Sequence, residues 1–211
     1  MRRGLLWAVA LIFSRIEAAD AASLVVKVTD PGGKAVADAV AKLTADGLKE
    51  ASGDVQPHVI DQRNETFIPY VEIVPAGGEV TFRNSDQTRH HVYSFSPLGL
   101  FEFLLAPGDR SAPVRLAHPG IIAVGCNIHD PMIAYLYVSD SPLVARSDPQ
   151  GMAEIKAVPA GRYVLHLWHP RLRPGRQELT QSVTVEGNDV QLAVIMELLP
   201  DRRSGDERRR Y

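Results

Sequence analysis

Clusters of proline and glycine recur along this chain and separate short segments of strand-like sequence. These turn signals lie at 30–33, 75–78, 107–109, 119–120 and 159–161. Between them, alternating or briefly continuous apolar residues occur at 24–29, 67–74, 79–83, 91–95, 114–117, 121–124, 133–138, 163–168, 182–185 and 190–198. Short strands at this spacing predict an all-β protein made of one or two β-sandwiches. The alanine-rich segment 35–46 fits a helix as well as a strand.

The size and charge of the chain restrict its function classes. With 211 residues, it has room for one large domain or two small ones. Its formal net charge of -2 provides no electrostatic case for binding nucleic acid. The sequence also has no nucleophile elbow and no phosphate-binding loop. Nothing in the sequence therefore supports hydrolytic chemistry, and the chain is expected not to be an enzyme.

The two ends of the chain differ from the rest. Arg2 and Arg3 precede an apolar run at 5–13 and an alanine-rich stretch at 18–22, which is the order of a secretory signal peptide. Residues 1–22 are expected to be removed, leaving a periplasmic protein without a membrane span; an uncleaved anchor is the alternative. The charged segment 201–211 is expected to be disordered, and a basic docking tail is its alternative interpretation.

The chemistry is concentrated in the segment from Cys126 to Met132. Cys126, His129 and Met132 follow one another at spacings of three, between two predicted strands, so a tight loop brings a thiolate, an imidazole and a thioether together. Copper suits these ligands, whereas zinc has little use for methionine. Cys126 is also the single cysteine of a chain expected to be exported, so it has no intramolecular disulfide partner.

A second histidine-bearing turn completes the pattern. Asn84, five residues, His90 and then the later Cys-x2-His-x2-Met loop resemble the plastocyanin/amicyanin family of cupredoxins, and the short ligand loop is closest to amicyanin. Within this group, residues 90–96 and 125–132 resemble exported proteins of the methylamine-utilisation type. The resemblance covers about residues 60–140. It implies a Greek-key β-sandwich that binds one copper ion through His90, Cys126, His129 and Met132. The implied function is one-electron transfer as a type 1 (blue) copper protein with an unidentified redox partner.

Three positions depart from that family's pattern. His91 stands where asparagine normally links the ligand loops, and it is either such a link or a competing ligand; the end of the predicted strand favours His90 as the ligand. Gly125 precedes the thiolate where a larger residue is common. Asp130 places a charge beside His129. These departures affect reduction potential and partner choice more than metal binding.

The flanking segments resemble a different module. Residues 26–43 and 147–168 are similar to carboxypeptidase-regulatory-like, prealbumin-type sandwiches. The resulting prediction divides the chain into 23–50 and 141–200 as a second small prealbumin/Ig-like β-sandwich, with the cupredoxin domain at 56–140 inserted between them. In the alternative arrangement, 24–43 supplies the cupredoxin's own first strands and a small β domain follows.

The remaining histidines are predicted to be structural or exposed. His58 and His118 lie beside prolines in turns and are expected on the surface, whereas His166 and His169 are expected to be structural and Trp168 to pack. A second, catalytic copper at His166 and His169 is disfavoured because an open site needs converging ligands.

The expected route for electrons is His129, with Pro131, Leu98 and Leu100 lining the docking face. Two other functions stay open, namely copper storage or delivery, and a non-catalytic module with a structural metal.

Overall fold

The computed structural model describes residues 22–51, 58–129, 132–173, 175 and 178–201. The predicted signal peptide apart from Ala22, and the predicted tail apart from Asp201, lie outside these residues. Within the described part of the chain, no helix is long and apolar enough to cross a membrane.

The described residues form sixteen strands, and the predicted all-β class is confirmed. The strands are β1 (Ala22–Thr29), β2 (Val40–Thr44), β3 (His58–Gln62), β4 (Phe67–Ile68), β5 (Val71–Pro75), β6 (Gly78–Asn84), β7 (His90–Ser96), β8 (Gly99–Leu105), β9 (Val114–Leu116), β10 (Gly120–Cys126), β11 (Ile133–Ser139), β12 (Val144–Arg146), β13 (Met152–Val158), β14 (Gly161–Trp168), β15 (Leu179–Val185) and β16 (Val190–Ile195). The alanine-rich segment 35–46, whose sequence fits a helix as well as a strand, contains the strand β2.

Two sheets of the central segment enclose one apolar core. One sheet has the order β5-β11-β10-β7-β8, and the other has the order β4-β3-β6-β9. Their inward residues form a cluster that includes Phe82, Ile122, Val124 and Leu136, each fully buried. We call this unit the central sandwich.

Strands from both ends of the chain pair with each other in two further sheets. β1 lies between β13 and β16, and β2 lies between β12 and β14, with β15 beyond β14. A separate core fills the space between these sheets, with Leu24, Leu43 and Leu165 fully buried in it. We call this unit the flanking sandwich.

A small apolar cluster joins the two sandwiches. Trp168 on β14 packs against Tyr135 and Tyr137 of β11, with ring centroids 5.8 and 5.6 Å apart. Val40 and Val71 complete the buried part of this cluster. The Tyr137 hydroxyl donates to Glu178 Oε1 at 2.9 Å, and burial raises the pKa of Tyr137 well above its usual range. Trp168 therefore packs, as its position in the sequence predicted.

One predicted strand is divided in the structure. Segment 67–74 contains two strands, because Pro69 has no amide hydrogen to donate and stands between them. β4 pairs with β3 in one sheet, and β5 pairs in parallel with β11 in the other. The chain thus passes from one layer of the central sandwich to the other at this proline.

Candidate metal centre

His90 is the first residue of β7, and its side chain points into the central sandwich. It is fully buried, whereas the next residue, His91, is partly exposed. This difference follows from the alternation of a strand, which sends neighbouring side chains to opposite faces. The loop before His90 is folded around the buried Asn84, whose amide nitrogen donates to the carbonyls of Thr88 (2.8 Å) and Leu105 (3.0 Å).

A carboxylate orients the His90 ring. Asp86 Oδ2 lies 2.8 Å from His90 Nε2. Burial opposes ionisation of Asp86, but hydrogen bonds from the amides of Glu65 and Asn64 and from His90 lower its pKa below the usual range. Because an ionised carboxylate only accepts hydrogen bonds, the tautomer that fits this contact has its hydrogen on Nε2, and Nδ1 is the nitrogen that can bind a metal.

Cys126 and Met132 enclose a short loop at the end of β10. The Cys126 amide donates to the Met132 carbonyl at 3.3 Å, and the Met132 amide donates to the His129 carbonyl at 3.0 Å. Both side chains are almost completely buried, in the core of the central sandwich. Cys126 also lies opposite Val92 of β7, so that the ladder between β7 and β10 brings it close to His90.

Three of the four predicted ligands converge on one point. Cys126 Sγ lies 3.7 Å from His90 Nδ1 and 3.8 Å from His129 Nδ1, and the two Nδ1 atoms are 3.2 Å apart. Among the residues that the structure describes, these three form the group of histidine, cysteine or carboxylate side chains whose ligand atoms lie close enough together to hold a metal ion. Two imidazole nitrogens and one thiolate fit a soft or borderline transition metal such as copper. Ligation by Met132 stays a prediction, although its position in the same buried cluster agrees with it.

His129 forms the outer edge of this cluster. Its side chain is 19 % exposed, and Nε2 lies 3.7 Å from Glu65 Oε1. The rings of His90 and His129 have centroids 4.9 Å apart. The contact of Glu65 with His129 and the orienting role of Asp86 were not predicted. For Asp86, the spacing of four residues before His90 was the available sequence signal of a contact.

His91 lies outside the cluster and connects two loops. Its Nε2 is 2.6 Å from Glu102 Oε1, and its carbonyl accepts a hydrogen bond from the Asn127 amide at 3.0 Å. Its Nδ1 is 3.4 Å from the Asn127 side-chain nitrogen. Of the two roles considered for His91, the structure favours the link between the ligand loops.

Two of the three residues expected to line the docking face lie far from the cluster. Leu98 and Leu100 belong to the turn and the first part of β8, whereas the far end of β8, at Leu105, lies opposite His90. At about 3.4 Å per residue, Leu100 is some 17 Å along the strand from that point. Leu98 is partly buried against the core. Pro131 and Asp130 lie outside the described residues.

The other histidines make structural contacts or lie on the surface. His118 is exposed, as predicted. His58 is not: its side chain is 18 % exposed, and Nδ1 lies 2.6 Å from Glu72 Oε1. The expectation was wrong because His58 begins β3 and is covered by neighbouring strands. His166 contacts Thr44 and Glu178, and the buried His169 contacts the carbonyl of Ala37.

The chain was compared with known proteins. No protein-family model matches it, and no curated protein is a significant match. Among solved structures, it is similar to a purple cupredoxin from Nitrosopumilus maritimus, at 23% identity over 39% of this chain and 99% of that one (TM-score 0.35). It is also similar to amicyanin from Paracoccus versutus, at 16% identity over 46% and 98% (TM-score 0.36). A Cu-containing nitrite reductase from Thermus scotoductus is similar at 24% identity over 56% and 28% (TM-score 0.37).

Proposed function

We propose that this protein is an exported blue-copper protein of the cupredoxin family that transfers single electrons in the periplasm. One copper ion would be held by His90, Cys126 and His129, with Met132 as a weaker fourth ligand. The observation that carries the proposal is the convergence of two imidazole nitrogens and a thiol sulfur within 3.8 Å of one another. Copper in such a site supplies a one-electron couple between Cu(I) and Cu(II).

The residues around the cluster are arranged to hold the ligands still. Asp86 fixes the tautomer and direction of His90, and Asn84 fixes the loop that carries both. The ladder between β7 and β10 holds Cys126 beside His90. A site whose ligands move little needs little reorganisation when the charge of the metal changes, which favours electron transfer over the binding and release of a substrate.

We further propose that residues 56–140 form a domain inserted in the flanking sandwich. This proposal is supported by the pairing of β1 with β13 and β16, and of β2 with β12 and β14, across the central segment. Export, one copper ion per chain and a separate redox partner belong to the same proposal.

The test is the visible and EPR spectrum of the chain loaded with Cu(II), beside a Cys126→Ser variant. We expect an intense blue absorption band with a small copper hyperfine splitting, both absent from the variant because the thiolate is lost. A weakly coloured wild-type protein would contradict the proposal. A structural metal would instead reveal itself by unfolding of the chain when the metal is removed.

A further inference from the structure

One side of the flanking sandwich has edge strands without charged residues. Each of the four sheets of the described residues ends in two edge strands, whose outer backbone groups have no partner within that sheet. Charged side chains protect edges from pairing with other chains, and β5, β8, β9, β12 and β13 each carry one or more. The edge strands β15 and β16 carry none. Because β12 and β13 contact each other on one side of the sandwich, β15 and β16 lie together on the other.

The core of the flanking sandwich is incompletely covered along β16. The core-facing residues of this strand, Val190, Leu192 and Val194, pack against the core but are only partly buried. Their neighbours on β1 include Leu24 and Val26, which are fully buried. One further strand beside β16 would therefore remove apolar side chains from water, as β16 does for β1.

The outer side of β16 presents hydrogen-bonding groups of the backbone. The Met196 amide, just after the strand, donates to the Thr29 carbonyl of β1 at 2.8 Å. Successive residues of a strand point their amides and carbonyls to alternate sides, so those of Gln191, Ala193 and Ile195 point away from β1. No described strand pairs with β16 on that side. The edge therefore suits a partner with an extended backbone.

A second copy of β16 fits this edge. Two copies related by a two-fold axis perpendicular to the sheet run antiparallel and pair through the same residues. With Leu192 opposite Leu192 of the second copy, Val190 lies opposite Val194, and Gln191 lies opposite Ala193. Core-facing side chains then meet core-facing side chains, and the outward amides of Gln191 and Ala193 exchange hydrogen bonds with the second copy.

The acidic residues at the two ends of β16 select this register. Asp189 precedes the strand and Glu197 follows it. In the alternative register with Ala193 opposite itself, Asp189 of one copy would lie directly opposite Glu197 of the other, and like charges in that position are destabilising. In the register centred on Leu192, Asp189 instead lies opposite the uncharged Ile195.

We propose that β16 is the interface between two copies of this chain. The two three-stranded sheets join into one continuous sheet, with β16 of each copy at its centre. The uncharged edge, the partly exposed core residues and the outward backbone groups of one strand together carry this proposal. Because the pairing uses no residue of the candidate metal centre, it stands or falls independently of the proposed function.

The first test is analytical ultracentrifugation of the metal-free full chain over a range of concentrations. Because one pair of strands forms a small interface, we expect a dissociation constant on the order of 10 µM. Wild type should then sediment as a dimer at about 1 mM and as a monomer at about 0.1 µM. A chain that stays monomeric at about 1 mM would overturn the proposal. Dimerisation only after removal of residues 202–211 would also overturn it, by assigning the edge to that segment.

Paired charge substitutions test the interface and its register together. Gln191→Lys with Ala193→Lys sets lysine opposite lysine twice and should weaken dimerisation about tenfold. Gln191→Lys with Ala193→Glu sets lysine opposite glutamate and should preserve or strengthen it. Both positions are exposed, so the fold should tolerate either pair. The control is Glu154→Lys on β13, which with Lys156 gives two lysines at the same spacing on the opposite edge and should leave dimerisation unchanged.

Disulfide formation between copies gives an independent measurement in a Cys126→Ser background, which removes the chain's own thiol. Leu192→Cys sets two thiols directly opposite each other, at a Cα separation of about 4.5 Å that a disulfide can span. This variant should form a covalent dimer on mild oxidation, whereas Ala193→Cys should not, because its thiol lies opposite Gln191. Cross-linking of Ala193→Cys alone, or dimerisation that both charge pairs leave unchanged, would overturn the proposal.

Discussion

The Asp86 carboxylate lies 2.8 Å from Nε2 of His90 and holds the ring so that its other nitrogen, Nδ1, points at Cys126 Sγ, 3.7 Å away. His90 is completely buried, so this contact is shielded from water. The aspartate therefore controls both the direction of the His90 ring and the charge next to the candidate metal centre.

Replacing this carboxylate should alter the metal centre without removing a ligand. Outer-shell partners of metal-binding histidines typically account for 10- to 100-fold in affinity, so Asp86→Asn should weaken Cu(II) binding by roughly that factor. If Cu(II) loses about tenfold more affinity than Cu(I), the reduction potential rises by about 59 mV. Competition titration and voltammetry measure the two effects.

Asp109→Asn is the matched control for Asp86→Asn. Asp109 accepts a hydrogen bond from the Ala106 amide in an exposed loop rather than from a ligand. Nitrogen NMR of the metal-free chain adds an independent measurement, since wild-type His90 should be protonated at Nε2. An unchanged tautomer together with unchanged affinity would mean that Asp86 does not orient the ring.

His91 should be dispensable for the blue colour. It points away from the cluster and contacts Glu102 and Asn127. His91→Asn should therefore keep the intense absorption band, whereas His90→Asn should lose it. If instead His91→Asn abolishes the band, the ligand assignment of the two neighbouring histidines must be exchanged.

Gly125 should tolerate a methyl group poorly. In Gly125→Ala, the added Cβ would stand 3.0 Å from the Tyr93 ring, and displacing that ring should cost about 1–3 kcal/mol of unfolding free energy. In a Tyr93→Ala background the same substitution should cost much less. Denaturant unfolding of the four proteins forms a double-mutant cycle, and additive costs would rule out a steric conflict between the two residues.

Asp61 should make the free energy of unfolding depend on pH. The hydrogen bonds from Arg83 have the largest effect on the pKa of the Asp61 carboxyl. Burial alone would raise this pKa, but the hydrogen bonds lower it from 3.8 to about 2. A lowered carboxyl pKa stabilises the fold at neutral pH, and this contribution falls as the pH drops from about 4 to 2. We expect the Asp61 charge to contribute about 1–2 kcal/mol to the free energy of unfolding, allowing for solvent screening at the partly exposed Arg83.

The measurement is the unfolding free energy of wild type and Asp61→Asn between pH 2 and pH 7. The difference should be constant above pH 4 and decrease towards pH 2. Asp46→Asn is the control, because Asp46 lies exposed in a turn. A difference that does not change with pH would show that Asp61 stabilises the fold without its charge.

Trp168 should couple the unfolding of the two sandwiches. It is 8 % exposed and packs on Tyr135 and Tyr137, so Trp168→Ala should cost about 3–5 kcal/mol. Because the junction is small, we expect calorimetry to resolve two transitions in the variant where wild type has one. Val164→Ala, an exposed position on the same strand, should retain the wild-type transition.

Much of the fold follows from local patterns in the sequence. Turn residues and alternation predicted the all-β class and many of the strands. β8 was missed because its outward residues include Leu100 and Leu104, so that it lacks the polar alternation of an ordinary surface strand. The strand break at Pro69 was missed because a proline is also compatible with the edge of a continuous strand.

The candidate site was predictable where its residues are close in sequence. Cys126 and His129 share one loop, and His90 followed from a resemblance that covers the turn before β7. Asp86 and Glu65 were not predicted in their present roles, because these depend on the turn before β4 packing against the loop before β7. Contacts between two loops leave no periodic signal in either of them.

The pairing of the flanking sandwich has a consequence for the order in which the chain folds during synthesis. Among the described strands, those that pair with β1 and β2 are β12, β13, β14 and β16, so this pairing waits until residues beyond Val144 have emerged. The strands of the central sandwich all lie between His58 and Ser139, so that unit is the first with a complete set of partners. A chain cut short after β11 would keep His90, Cys126 and His129 together but leave β1 and β2 as two unpaired, apolar strands, a hazard for aggregation in a truncated product.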